Sequence, residues 1–369
     1  MQYKMKKISK RRLIDLSFII CHLTFSTALL ASCSIMQEDR SDCPTCYNPV
    51  HLVLKYDYNI HRADMYADHV RQATCYIVDN NGIIVAKDEA TVPAGQKMPN
   101  AFNFEDLPEG NYRAYAVATT PPISKPTSST IRIAVPSLSI GDAISKLQPN
   151  IPRAAAPSAD GRYDVPSTLP LDTLWMGHSA QTFHLQDHVA ALDTVSLVRD
   201  TKNLNIMLAQ QTNPTDNGHS RYDVVITDEN GLLDCDNNVL PDQPLTYRPY
   251  ASWTTETTTT STVGTDSVVA RTAHFDLSFG RLMSHSDATK NARLIIRNRE
   301  DGKIIVDLDL VHILSLVRNA LNRNYSTQEY LDREYDYYLD FVLIGNQWKE
   351  LAIHINLLSW AFRIQNEEL

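Results

Sequence analysis

The sequence is short of the residues that phosphate chemistry and nucleic-acid binding require. Its 369 residues include only 12 glycines, and none sits in a Gly-rich phosphate loop. There is no Gly-x-Ser-x-Gly elbow and no His-Glu-x-x-His pair. Positive charge is scarce as well. Lys and Arg number 34 against 43 Asp and Glu, for a net charge of −9. Residues 1–32 hold six of those basic residues and one acidic one, so the chain from Cys33 onward carries about −14. That balance argues against a nucleic-acid or anionic-lipid surface, which needs Lys and Arg clusters. Long apolar runs are missing, with one exception near the N-terminus.

The exception is Leu13 to Leu30, interrupted by Asp15 and His22. Lys4, Lys6, Lys7, Lys10, Arg11 and Arg12 precede it, and Leu30-Ala31-Ser32-Cys33 closes it. A basic segment, an apolar segment and small residues before a cleavage point form a secretion signal. The terminal cysteine resembles the bacterial lipobox, in which cleavage falls before the cysteine and the thiol carries diacylglycerol. A membrane span of about 20 residues is the competing reading, but Asp15 and His22 are costly at membrane depth. The expected organisation is a signal peptide over 1–32 and a lipidated tether over 33–48. A multiply acylated Cys33 would supply an anchor that one chain alone does not give.

Six cysteines are present. With Cys21 and Cys33 set aside, Cys43, Cys46, Cys75 and Cys235 could pair in an exported protein, with the connectivity open. Cys43-Pro44-Thr45-Cys46 has redox spacing but follows a tether rather than a strand, so a structural role is expected.

From Pro49 onward the pattern is that of short strands. His51–Tyr58, Ala73–Val78, Ile83–Ala86 and Tyr112–Ala118 read as strands, with Asp79-Asn80-Asn81-Gly82 as a hairpin turn. Residues 119–170 are rich in Pro, Ser, Thr and Ala and read as long loops, with a short element near Ile140–Leu147. Lys202–Leu208, Tyr222–Thr227, Ser267–Phe279, Ala292–Arg297, Lys303–Leu310, Tyr335–Ile344 and Glu350–Leu357 read as further strands. Asn230-Gly231 and Asp301-Gly302 are read as hairpin turns, and Thr254–Thr262 as a loop or exposed edge. Val311–Leu321 has helical spacing. The fold class is mainly β: two β-sandwich domains in tandem, over 49–190 and 191–369, with one short helix in the second.

No catalytic set emerges, and neither a metal nor any other cofactor is expected. His184 and His188 are spaced i, i+4, but strand candidates surround them, and a strand separates such a pair by about 13 Å. Glu256 and Asp266 could be cast as a glycosidase pair, yet nothing fixes their separation. Trp175, Trp253, Trp348 and Trp360 read as core plugs; a lipid-anchored glycan-binding protein would need them exposed and clustered. Thr173, Thr194 and Ser267 each follow an aspartate in a three-residue pattern that resembles an O-glycosylation sequence of exported Bacteroidota proteins.

Several stretches together resemble a known family. They are Glu38-Asp39-Arg40-Ser41-Asp42-Cys43-Pro44, Tyr56-Asp57-Tyr58-Asn59 and Leu107-Pro108-Glu109-Gly110-Asn111-Tyr112. Leu174-Trp175-Met176-Gly177, Leu197–Asn203, Gln328–Arg333 and Trp348–Trp360 complete the set. In this order they resemble the FimB-like fimbrillin-associated anchor proteins of Bacteroidota. The resemblance implies transthyretin-like sandwiches and an outer-membrane lipoprotein acylated at Cys33, with Glu38 and Asp39 as a surface-export signal. It implies an anchor or accessory subunit at the base of a fimbria, or a subunit at its tip, rather than an enzyme. The expected partners are a fimbrial stalk subunit and the membrane lipid, with no nucleic acid and no small-molecule substrate. A sandwich edge can be completed by a neighbour's strand, and the alternating strand Leu351, Ile353, Ile355, Leu357 is the expected docking element.

Overall fold

Residues 48–366 are described by a computed structural model, apart from 94, 121–129, 187–188, 261–266, 321–323 and 355–360. Cys33, Glu38 and Asp39 lie outside the described residues, as do Cys43 and Cys46. The chain begins with β1 (Asn48–Lys55), α1 (Tyr66–His69), β2 (Gln72–Asp79), β3 (Ile84–Thr91), β4 (Ala101–Leu107) and β5 (Gly110–Thr120). Next come β6 (Tyr163–Asp164), β7 (Thr173–His178), β8 (Phe183–Leu185), β9 (Ala191–Ser196) and β10 (Val198–Arg199). The second half opens with β11 (Thr201–Gln210), β12 (Tyr222–Asp228), β13 (Leu245–Tyr247), β14 (Ala251–Thr260) and β15 (Ser267–Gly280). After β16 (Arg293–Asn298) and β17 (Ile304–Asp309) come α2 (Leu310–Ser315) and α3 (Thr327–Arg333). The last strands are β18 (Asp336–Ile344), β19 (Gln347–His354) and β20 (Ala361–Gln365).

These strands form four sheets with the orders β4-β1-β9, β10-β7-β5-β2-β3 (with β8 on β5), β14-β15-β11-β18-β19-β20 and β17-β16-β12-β13-β6. The fold is mainly β, as the alternation predicts. The first two sheets enclose one core, with Leu52 and Leu54 of β1, Phe102 of β4, Cys75 and Ile77 of β2 and Trp175 of β7. The other two enclose a larger core. It takes Leu204, Ile206 and Leu208 from β11, Phe275 and Leu277 from β15, Leu339 and Phe341 from β18, and Val224 from β12. α2 adds Ile313 and Leu314 to it.

β2 is buried along nearly its whole length. Its alternate residues Tyr76 and Val78 face away from the first core and meet Ile133, Leu138, Ile144 and Leu147. The Pro- and Ser-rich segment read as long loops thus covers the outer face of this sheet. A strand covered on both faces loses the apolar-polar alternation, and Ala73–Val78 has lost it.

The sequence reading holds at some turns and fails at others. Gly82 adopts φ 77° between β2 and β3, and Asp79 accepts from the Asn81 and Ile83 amides, both at 2.9 Å. Those bonds, the Ile83 one foremost, hold the Asp79 carboxyl below its ordinary value. Asp301-Gly302 likewise joins β16 to β17. Asn230-Gly231 does not make a tight hairpin. β12 reaches its partner β13 through a long connection, Asn230 is buried, and its side chain binds the Arg281 carbonyl and the Tyr247 hydroxyl. Gly231 is needed there for close approach, since a Cβ would meet Arg153 Nη2 at 2.6 Å. The expected helix is α2, shorter than its periodicity suggested. α3 was missed although Ser326 and Glu329 form a capping-box signature; Ser326 Oγ accepts from the Glu329 amide at 3.1 Å.

The change from one pair of sheets to the other falls at Asp200 rather than at residue 190. β9 pairs in parallel with β1, and β10 pairs with β7, so both belong with the first core. β6 moves the other way and pairs with β13.

Candidate functional site

The expected docking strand is an interior one. In β19, Leu351 and Ile353 point into the second core. β18 holds one edge of the strand, with Leu339 opposite Ile353 and Phe341 opposite Leu351. β20 holds the other, with Ile364 opposite Leu351 and Phe362 opposite Ile353. A strand paired on both sides has no backbone groups left for a newcomer. Ile355 and Leu357 lie outside the described residues.

The open edge is therefore that of β20, which pairs with β19 alone among the described residues. Ile364 and Phe362 are two residues apart and share the core face. Ile364 is 5% exposed, whereas Phe362 is 42% exposed. The core is left uncovered at this corner. A cleft of about 420 Å³ lies beside the far end of the strand, lined by Ile344, Gln347, Trp348, Lys349, Gln365 and Asn366. Asn366 closes that end by donating to the Trp348 carbonyl at 2.9 Å.

Other edges are differently furnished. β3 carries Lys87, Asp88 and Glu89, and charges on an edge discourage pairing. β14 is long and threonine-rich, and its one charge, Glu256, is held by Arg271 at 2.8 Å. It is the exposed edge anticipated for Thr254–Thr262. β17 leaves Ile304 exposed, but Asp307 is tied to Arg293 at 2.7 Å.

The seam at Asp200 is the most strongly charged buried region. Lys202 is fully buried and donates to the carbonyls of Asp332 at 3.1 Å and Glu334 at 2.8 Å. Arg281 grips the Asp332 carboxylate with two bonds of 2.8 Å, and Gln328 donates to the same carboxylate at 3.0 Å. Asn237 donates to Asp200 Oδ1 at 2.9 Å, and Arg281 Nε stands 3.9 Å from that oxygen. Burial pushes the Asp200 carboxyl up and the Lys202 ammonium down. The Asp200 amide donates to the Leu174 carbonyl at 2.8 Å. Arg199 lies 4.3 Å over the Tyr335 ring, and Arg333 lies 4.0 Å over Tyr58. Residues from both halves thus meet in one network.

The remaining sequence candidates are scattered. Thr194 is exposed on β9, Thr173 is half-buried on β7, and Ser267 opens β15 opposite Thr260. Trp175 and Trp348 are buried, one in each core. Trp253 is exposed, and Trp360 lies outside the described residues. Among the described residues, Trp175, Trp253 and Trp348 do not cluster. Cys75 and Cys235 are both free. His184 pairs with Asn111, while His188 is outside the described residues. Among the described residues no group of His, Cys, Asp and Glu is arranged to hold a metal. No helix among them is long and apolar enough to cross a membrane.

Four sheets enclosing two main cores define a protein of the β-sandwich class. The chain belongs to the family of fimbrillin-A associated anchor proteins Mfa1 and Mfa2, whose model matches residues 40–366. Among solved structures it resembles a candidate polysaccharide-binding protein of Bacteroides thetaiotaomicron at 26% identity and a TM-score of 0.65, covering 87% of this chain and 100% of that one. A candidate adhesin of the same organism matches at 25% identity and a TM-score of 0.65, over 88% and 100% of the two chains. The fimbrial anchor protein Mfa2 of Porphyromonas gingivalis shares the fold, at 15% identity and a TM-score of 0.55, over 86% and 99%. No curated protein matches by sequence. The family places this chain among fimbria-associated proteins.

Proposed function

We propose that this chain is an outer-membrane lipoprotein, acylated at Cys33 and displayed at the cell surface through the Glu38-Asp39 signal, that holds the base of a fimbria. The partner is a stalk subunit, which docks by adding a strand to the free edge of β20. The observation that carries this reading is Phe362, which faces the core side of its sheet and is nevertheless 42% exposed. An added strand would supply main-chain hydrogen bonds along β20 and apolar side chains over Phe362. The same edge could serve a subunit at the tip, but a lipid on Cys33 fixes this chain at the membrane. The function is mechanical and needs no catalytic group. Of the residues in the glycosylation pattern, Thr194 is exposed on β9 and Thr173 is half-buried on β7.

Truncation after residue 360 tests the docking edge. It removes β20 and spares Leu351 and Ile353, whereas a deletion from Glu350 would strip the core itself. The expected result is fimbriae released into the medium while the lipoprotein stays in the membrane fraction. Fimbriae that remain attached to cells carrying the truncated chain would sink the docking edge.

A further inference from the structure

The outer face of the six-stranded sheet carries a cluster that the fimbrial role leaves unused. On β14 and β15, Trp253 stands directly opposite His274, and the two rings are stacked with centroids 5.0 Å apart and planes 4° from parallel. His274 is fixed in turn by Thr255, 2.8 Å away. The pairing continues from His274 to Met207 and from Met207 to Asp340. A second row runs Ala251, Asp276, Asn205, Tyr338 across the same four strands. Trp253 and Tyr338 are each 41% exposed. They flank a shallow cleft of about 250 Å³ floored by Asn205, Met207 and Asp276. Three strand spacings separate them, or about 14 Å.

Three features of this face select a ligand. An indole stacked on a neighbouring ring is held rigid with its other side free, and large exposed aromatics kept in place mark binding surfaces. Asp276 makes no side-chain hydrogen bond among the described residues, and Asn205 spends only its amide group, on the Tyr337 carbonyl at 3.4 Å. These are acceptors for hydroxyl groups. No Lys or Arg lines the cleft, and the exposed His354 at its rim is already paired with Asp340, so no positive charge there is left to balance an anion. Burial also lowers the His274 pKa, which keeps the ring neutral near pH 7.

We propose that this face is a binding platform for a neutral oligosaccharide, which lies flat with its C–H faces on Trp253 and Tyr338 and its hydroxyls on Asp276 and Asn205. The proposal is independent of fimbrial docking, because the platform is a sheet face rather than an edge and its test uses no fimbrial subunit.

The test is calorimetric titration of the full chain with neutral tetra- to hexasaccharides built on glucose, mannose, galactose and N-acetylglucosamine, with a uronate oligomer as the acidic control. At least one neutral oligosaccharide should bind, and Trp253→Ala should weaken it about ten-fold or more. Tyr338→Ala, on a different strand, should weaken it in the same direction and guards against a folding defect in the first variant. Absence of binding across the neutral set, binding of the uronate alone, or affinity unchanged in both variants overturns the proposal. So does a dimer that Trp253→Ala converts to monomer, since the face would then belong to a second copy.

Discussion

In the anchor role proposed above, load would pass from the fibre to the lipid across the seam at Asp200. The Arg281–Asp332 pair is the strongest bond there. Arg281 is 11% exposed and Asp332 7%, so neither can fall back on water. Asp332→Ala would leave the guanidinium buried opposite a void, with Asp200 at 3.9 Å as its remaining carboxylate. Removing one partner of a buried pair costs about 3–5 kcal/mol, which corresponds to a fall in Tm of roughly 6–20 °C for a unit of this size. Equilibrium urea unfolding followed by tryptophan fluorescence is the assay. Trp175 and Trp348 sit in the two cores, and variants with Phe at the other three of the four tryptophan positions isolate each reporter. Both cores should lose stability in Asp332→Ala, because the network joins residues of both halves. Arg281→Met with Asp332→Leu should recover most of the loss, since apolar replacement of the whole pair is close to neutral. A loss below about 1 kcal/mol, the range of a surface pair, would refute the reasoning, as would a double variant no better than the single one.

Further expectations follow from single residues. Gly177→Ala should destabilise the first core by about 1–3 kcal/mol, because a Cβ there would meet the Ser196 carbonyl oxygen at 2.7 Å and Val195 Cγ1 at 2.9 Å; chemical denaturation reads it, and an unchanged midpoint contradicts the packing. Asp228 is pushed up to about 7 by burial, so the folded state holds a proton there that the unfolded chain releases near pH 4. This group's contribution is present below about pH 4 and is lost as pH rises to about 7. Asp228→Asn should therefore raise Tm at pH 8 and leave it nearly unchanged at pH 4, and equal effects at the two pH values would count against a buried carboxyl. Cys33→Ala should shed the protein and its fimbriae together into the medium, and fimbriae retained at the cell would show that the lipid is not what holds them.

The strands were legible because their alternation is strong, as in Leu204, Ile206 and Leu208 on β11. Lys202 shares their face, and a lysine in that phase was a readable sign of a buried partner. Its partners, Asp332 and Glu334, are too far along the chain for local pattern to reveal. β20 was harder to see. Phe362 and Ile364 alternate, but five residues with a single buried side chain give little signal, and the edge was assigned one strand too early. The sheet platform could not be read at all. Trp253 and Tyr338 are joined only through pairing across β15 and β11, and periodicity within a strand carries no information about which strand lies beside it. The LeuTrpMetGly stretch was recognised as a motif, and the structure supplies its reason: Trp175 fills the first core while Gly177 lets β9 approach.

Site-specific cross-linking on intact cells tests the docking claim most directly. A photo-reactive residue at Phe362 on β20, compared with one at Ile304 on β17, reports which edge meets the stalk subunit. The account predicts a cross-link to the stalk subunit from position 362 and none from 304. A cross-link from 304 alone, or from neither position on cells bearing fimbriae, would contradict it.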